Sequence, residues 1–462
     1  MLFKQVYDYI VTRIEREEWK VDDKLPSIRV LAQELGINRL TVFKAYQLLK
    51  QNGKAYVKEK SGYYVCSRNL NQLTYEPMES QPIQSSGHLK NNLSEIQQVP
   101  VRYQFSQALI DPNLLPNLFL SEYVKKVFNI YPKLMGTYST AQGDEELREV
   151  LCQYMVRHHR VQLTANELVI TTGAQQAIDL LARVFIRPLD AILVERPTYS
   201  AAIDIFRQQG ARFLPVDIRP DGYDLEKVED LMKQHRPRFF YMNPTFHNPT
   251  GYTVPSSQRK QLVELAERYR CLLIEDDAFH DMYFDQLPPQ PLFTYDTEGW
   301  VVHLRSFSKY VAPGLRVCAV IGRSSVIQPL ITAKSLADNG TPLVNQKIFL
   351  HYFESERLQK HLAKLRIALQ IRRDIMEEGL KATGWEWTTP QGGLSLWLQL
   401  PDKFPVEAFL QDCFQQSVSF VPGIICDPLN EIRSRMRLSY SFVNEDELRE
   451  GIRRLANAAQ GY

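Results

Sequence analysis

Lys309 is the residue around which chemistry can most readily be built. It lies in Ser306-Phe307-Ser308-Lys309-Tyr310-Val311-Ala312-Pro313-Gly314-Leu315-Arg316, where an apolar run ends in two hydroxyls and a lysine, with an arginine seven residues on. A lysine that forms a Schiff base needs a place where an aldehyde is held, and a phosphorylated carrier of that aldehyde needs an anchor close by. Ser306 and Ser308 offer hydroxyl donors, and Arg316 offers a planar cation suited to a dianionic phosphate. Read alone, the same lysine is a surface residue beside a polar turn.

Three other stretches narrow that choice. Thr172-Gly173-Ala174-Gln175-Gln176-Ala177 follows an apolar strand and opens a helix, whose N-terminus presents backbone N–H groups and a favourable dipole to phosphate. Asn248-Pro249-Thr250-Gly251 follows the run FFYMNPTFH, where an asparagine amide could hold a phenolic oxygen. Ile274-Glu275-Asp276-Asp277 ends another apolar strand, and a carboxylate there could pair with a pyridinium nitrogen and keep it protonated. Each has a plainer reading: a helix start, an ordinary turn, a strand-end cap.

The elements that would position these residues are legible as an alternation. The runs ELVITTG, DAILVERP, FFYMNP, CLLIEDD, WVVHLRSFS and CAVIGR are short and nearly continuous in hydrophobicity, as strands buried on both faces should be, and helical stretches separate them. Over about 220 residues this predicts a mostly parallel α/β sheet. A smaller α+β segment follows, from about Gln346 to the end.

The first 67 residues read differently. Residues 3–18 show an apolar stripe of Phe3, Tyr7, Ile10 and Ile14. Ser27 can cap a second helix with Ile28, Leu31, Ala32 and Leu35 on one face, ended by Gly36. Asn38 can cap a third with Val42, Ala45, Tyr46 and Leu49 inward, ended by Asn52-Gly53. Two strand-like runs, AYVKE and YYVCS, flank a Lys60-Ser61-Gly62 turn. Three helices and a hairpin in this order make a winged helix-turn-helix. From 68 to 100 the composition shifts to Asn, Gln, Ser, Glu and Pro with no visible period, which predicts a flexible linker, and 101–462 is then the body.

Bulk properties set outer limits. The chain has 462 residues and a formal charge of +2, but residues 1–65 carry twelve Lys and Arg against eight Asp and Glu. Its six cysteines are scattered, with no CxxC pair, which argues against a disulfide framework or a zinc site. The N-terminus lacks an apolar signal core, and no run is long enough to span a membrane. The expectation is a cytoplasmic protein that needs neither metal nor membrane.

The third helix begins Asn38-Arg39-Leu40-Thr41-Val42-Phe43-Lys44. With its apolar positions turned inward, Asn38, Arg39, Thr41 and Lys44 are expected to face out, where they suit phosphate and base-edge contacts in a major groove, with Lys60 on the wing. The segment LPSIRVLAQELGINRLTVFKAYQLLKQNGKAYV resembles the GntR-type winged-helix family. The resemblance implies double-stranded DNA as partner and puts Arg29, Arg39 and Thr41 on positions that typically touch it. The wing departs from the family, with Ser61-Gly62-Tyr63-Tyr64 where a Gly-rich turn and Thr often stand.

Residues 102–460 resemble the fold-type I aminotransferases. That resemblance implies pyridoxal 5'-phosphate bound covalently to Lys309, with Asp276 at the pyridine nitrogen, Asn248 at the phenolic oxygen and Tyr199 stacked on the ring. Ala174, Gln175, Ser306, Ser308 and Arg316 would form the phosphate cup. Tyr138 would reach a neighbouring subunit's phosphate, and Arg437 would clamp a substrate α-carboxylate. One position departs. The family usually has a tyrosine two or three residues after the pyridine-binding aspartate, and here Ala278 and Phe279 stand there. Phe cannot donate a hydrogen bond to the phenolic oxygen, so cofactor binding is expected to survive and turnover to suffer.

Head, linker and body together resemble the MocR regulators. The resemblance implies a homodimer that binds an operator and senses the cofactor or an amine or amino-acid effector. Two rivals remain at this stage: an active aminotransferase with an accessory DNA-binding head, and a DNA-binding protein whose body only dimerises.

Overall fold

The protein, seen here as a computed structural model, is described over residues 2–58, 61–66 and 92–462. It divides into two compact units, with the boundary between Gly87 and His88.

The first unit holds α1 (Leu2–Glu15), α2 (Ile28–Glu34) and α3 (Arg39–Gln51), then a hairpin of β1 (Ala55–Lys58) and β2 (Gly62–Val65). Ser27 caps α2 by accepting the Val30 N–H, and Asn38 caps α3 by accepting the Leu40 N–H. Val6, Ile10, Leu31, Ala32, Val42, Ala45, Tyr46 and Leu49 share the core with Ala55 and Val65 of the hairpin. The α3 pattern holds at all four expected positions. On α1 the buried pair is Val6 and Ile10, while Tyr7 and Ile14 pack only partly. Tyr46 donates to the Pro26 carbonyl at 2.6 Å, which ties α3 to the turn before α2.

The second unit begins among its described residues with α4 (Asn92–Gln98), inside the stretch read as linker. Seven residues are too few to display a helical period. The helix is held by its surroundings: Leu93 packs against Trp397, Val421 and Cys426, and Ile96 against the main core. The rest of that stretch, 68–91, lies outside the described residues.

Then come β3 (Tyr103–Gln104), α5 (Asn117–Ile130), α6 (Glu145–His159), β4 (Leu168–Thr172), α7 (Ala174–Phe185), β5 (Ala191–Arg196), β6 (Arg212–Asp217), β7 (Phe239–Met242), β8 (Leu272–Asp277), β9 (Val301–Ser306) and β10 (Val317–Ile321). Seven strands form one sheet in the order β4-β10-β9-β8-β7-β5-β6. β6, β5, β7, β8 and β9 run parallel, while β10 is antiparallel to both its neighbours. Side chains alternate across the sheet: Ile192 and Val194 join one apolar layer, and Leu193 joins the other. A smaller sheet of β11 (Glu386–Trp387), β12 (Ser395–Gln399), β14 (Val421–Pro422) and β15 (Arg435–Ser439), in the order β11-β12-β15-β14, carries Arg437. β13 (Val418–Ser419) pairs with β3. Among the described residues, no helix is long and apolar enough to cross a membrane.

Candidate functional site

The carboxyl ends of the parallel strands converge on one pocket. It is lined by Ala174, Gln175, Tyr199, Asn248, Asp276, Ser306, Ser308, Lys309, Arg316 and Arg437, together with Asn243, Ala278 and Phe279. This is where a doubly wound sheet places ligands, because the loops after each strand open outward there. Nine of the ten residues expected around the cofactor are thus brought together, and the expected effector arginine joins them. The tenth, Tyr138, does not line the pocket. It stands 87% exposed after α5.

Strand alternation explains why Asp276 and its neighbour differ. Asp276 receives the Tyr241 hydroxyl of β7 on Oδ2 at 2.7 Å, while its buried Oδ1 has no hydrogen-bond partner among the described residues. Burial lifts its pKa to about 6, and the Tyr241 bond offsets only part of that rise. Asp277 points the other way. Burial acts against its charge too, but His280 and Arg305 outweigh it and hold the carboxyl well below the usual range. Asn243 donates from its side chain to the Asp276 carbonyl and accepts the Asn248 N–H at 2.8 Å, so it fixes both expected ring contacts at once.

Lys309 donates from Nζ to the Ala108 carbonyl at 3.0 Å. Its part-buried position lowers its pKa, and the Arg437 and Arg316 guanidiniums lower it further, to about 8. At the opposite end Arg316 adopts a left-handed backbone (φ 55°) and donates to the Thr172 carbonyl at 3.2 Å. Gly173, with φ 84°, sits tight against it. A Cβ there would meet Arg316 Nη2 at 2.5 Å, and the positive φ favours glycine in any case, so this position lets the guanidinium lie close against the start of α7. α7 starts at Ala174 with no side chain capping it, which leaves its first N–H groups available to an anion.

Arg437 is buried. It donates through Nη1 to Asn248 Oδ1 at 2.9 Å and through Nη2 to the Ser106 carbonyl at 2.6 Å, leaving Nε without a partner among the described residues. Tyr199 borders the same space, its phenol pushed up to about 12 by burial and by Asp276.

These groups fit a phosphorylated pyridine aldehyde. An unpartnered buried carboxylate oxygen suits a protonated ring nitrogen, a glycine-walled cradle with an arginine suits phosphate, and an amine of lowered basicity suits an aldehyde.

Sequence reasoning missed the roof. Leu93 and Gln97 of α4 and Gln107, Ala108 and Leu109 also line the pocket. Their only signal was position, since they lie in or just after a stretch that reads as linker. Asn243, in the FFYMNP run, was missed because it precedes a more conspicuous asparagine.

In the first unit, Arg29, Asn38, Arg39 and Lys44 are exposed and Thr41 is partly so, as expected for groove contacts. The Asn38 carbonyl oxygen is committed to its cap, which leaves its amide N–H groups for a ligand. Lys60 lies outside the described residues.

Comparison with known proteins covers both units. Residues 133–455 match the family aminotransferase class I and II, and residues 2–65 match bacterial regulatory proteins, gntR family. The chain is 30% identical to the HTH-type transcriptional regulator YisV of Bacillus subtilis over 99% of its own length and 96% of that protein. It is 33% identical to aromatic-amino-acid aminotransferase 1 of Thermococcus litoralis over 75% of this chain and 85% of that one. The structure of LysN, the alpha-aminoadipate aminotransferase of Thermus thermophilus, complexed with N-(5'-phosphopyridoxyl)-L-leucine, superposes with a TM-score of 0.76 and 31% identity, covering 81% of this chain and 96% of that one. The chain belongs to the aminotransferase class I and II family and, through its head, to the gntR family of regulators, the pairing that defines the MocR subfamily.

Proposed function

We propose that the head grips a double-stranded operator while the body, loaded at Lys309, senses an amine or amino acid and resets how two heads meet their half-sites. The cofactor is pyridoxal 5'-phosphate. Bound in this pocket, it supplies an aldehyde that combines reversibly with primary amines. Lys309 is the residue to hold that aldehyde, Arg316, Ser306, Ser308 and the start of α7 to hold the phosphate, Asp276 to keep the ring nitrogen protonated, and Asn248 to hold the phenolic oxygen. The observation that carries the reading is the meeting, in one pocket, of an amine of lowered basicity, an unpartnered buried carboxylate oxygen and a cationic cradle, in a chain that also carries a winged helix.

Arg437, near Asn248, favours an effector with a carboxylate. Lys309 Nζ has the Ala108 carbonyl as an acceptor at 3.0 Å, which would hold the side chain whenever it is not holding the aldehyde. Gln97 of α4 donates to the Ser106 carbonyl of the same segment at 3.4 Å, so occupancy of the pocket bears on the first described helix after the head. That supports a ligand-dependent signal between the two units.

Phe119 and Ile130, on one side of α5, and Met135 and Tyr138 in the loop after it are exposed, which supports a homodimer formed through this region, with Tyr138 reaching the partner's phosphate. The DNA-binding head supports a cytoplasmic place of action.

A second reading, an active aminotransferase with an accessory head, is favoured by the nine expected cofactor residues gathered in the pocket and weakened by Phe279. Borohydride reduction after incubation with pyridoxal 5'-phosphate should label Lys309 under both readings, and the DNA separates them: for a regulator, a footprint on selected DNA should change when an amine panel is added. Multiple-turnover transamination with no specific footprint would establish the enzyme instead.

A further inference from the structure

The outward face of α3 is less polar than its sequence suggests. With Val42, Ala45, Tyr46 and Leu49 turned into the core, the opposite side carries Leu40, Phe43, Lys44 and Gln47 at helical spacing. Leu40 is 58% exposed and Phe43 42%. They lie three residues apart, so they are neighbours on one stripe. Large apolar side chains placed together in water usually mark a surface that something covers.

The residues around them indicate what covers it. Arg39, Lys44 and Lys50 are exposed on the same helix, and no acidic residue lies between Arg39 and Lys58. A cationic surface of this kind complements a polyanion. In a major groove the base edges offer hydrogen-bond donors and acceptors, which Leu and Phe cannot use, and one apolar feature, the 5-methyl of thymine. We infer that Leu40 and Phe43 are specificity-determining residues that read thymine methyl groups in the operator. This rests on the DNA-binding role of the head and assigns the chemistry by which the head chooses its sequence. Arg39 and Lys44 then supply position and affinity, and the apolar pair supplies discrimination.

The test removes the methyl without changing any hydrogen bond. An operator is selected from a random duplex pool with the full-length holo-protein, and each thymine in the protected half-site is replaced in turn by deoxyuridine. At the positions read by Leu40 and Phe43, binding should weaken about fourfold per methyl lost, the equivalent of one buried methylene. Leu40→Ala and Phe43→Ala keep a helix-favouring residue at an exposed position. Each should make its own position indifferent to the deoxyuridine change while leaving the salt dependence of binding unaltered. Deoxyuridine as good as thymine at every position, a selected operator with no thymine facing the protected groove, or a methyl effect that persists in both variants would overturn the readout with the DNA-binding role intact. A pool that yields no preferred sequence at all would overturn the operator-binding role of the head, and the readout with it.

Discussion

Lys309 and Ala108 are joined by a 3.0 Å hydrogen bond between the lysine Nζ and the alanine carbonyl, although 201 residues separate them in the chain. The bond gives the ammonium an acceptor on a segment that also supplies the Ser106 carbonyl to Arg437. Burial and two nearby guanidiniums work against the lysine's charge, and the Asp276 carboxylate only partly restores it.

The pH dependence follows from that balance. A lysine lowered to about 8 is neutral, and so nucleophilic, above about pH 8, well before ordinary lysines lose their protons. Competitive labelling of the apo-protein with acetic anhydride, followed by mass spectrometry, should show Lys309 reactivity rising through a midpoint near 8. Arg437→Met removes one of the opposing cations and should move that midpoint upward. A Lys309 profile indistinguishable from those of exposed lysines would refute the electrostatic account.

Gly173 gives a test confined to the phosphate end. Gly173→Ala drives a Cβ into the Arg316 guanidinium at a left-handed backbone position, whereas Gly314, two residues before that arginine, has open space around its Cβ position. Loss of one charge-assisted contact should weaken pyridoxal 5'-phosphate binding by about ten- to a hundredfold in Gly173→Ala and leave Gly314→Ala near the parent protein. Fluorescence titration of the apo-proteins measures both. Equal affinities would mean that the close approach of Gly173 to Arg316 is not needed to hold the phosphate.

How much of this was legible beforehand varied with the kind of signal. The strands of the large sheet announce themselves because burial on both faces forces continuous apolar runs, and Asp276, Asn248 and Lys309 stand where those runs stop. The α3 core face was equally plain, since a 13-residue helix shows its period. α4 was not legible, because seven residues carry too little pattern and its packing partners, Trp397 and Val421, lie about three hundred residues away. The exposure of Leu40 and Phe43 was hidden for another reason: apolar residues are assigned inward by default, and only the fold shows which of them the core has no room for.

Arg372 ties down the chain just after the pocket-lining residues Gln107, Ala108 and Leu109. Within the body it bonds Asp111 at 2.8 Å, Glu445 at 2.7 Å and the Ser441 carbonyl at 3.2 Å, and both Arg372 and Asp111 are buried. Asp111→Ala leaves a buried cation short of its best partner and should cost about 3–5 kcal/mol in the denaturant transition of the body. Glu445→Ala removes a half-exposed partner and should cost about 1 kcal/mol or less. If the two losses came out equal, the buried pair would not be the anchor.

Phe279 sets the last expectation. It is buried, it lines the pocket, and it stands close after Asp276 in the loop that leaves β8. Phe279→Tyr adds a hydroxyl able to donate to the cofactor's phenolic oxygen, and such a bond favours the form in which that oxygen is charged. The proton on the bound chromophore should then be easier to lose. A neutral hydrogen bond contributes about 0.5–1.5 kcal/mol, so the midpoint of the visible pH titration should fall by up to about one unit. If phenylalanine is what restrains turnover, the variant should also gain measurable transamination with the amines that shift the footprint. An unchanged titration together with unchanged turnover would show that the loss of catalytic tuning lies elsewhere in the pocket.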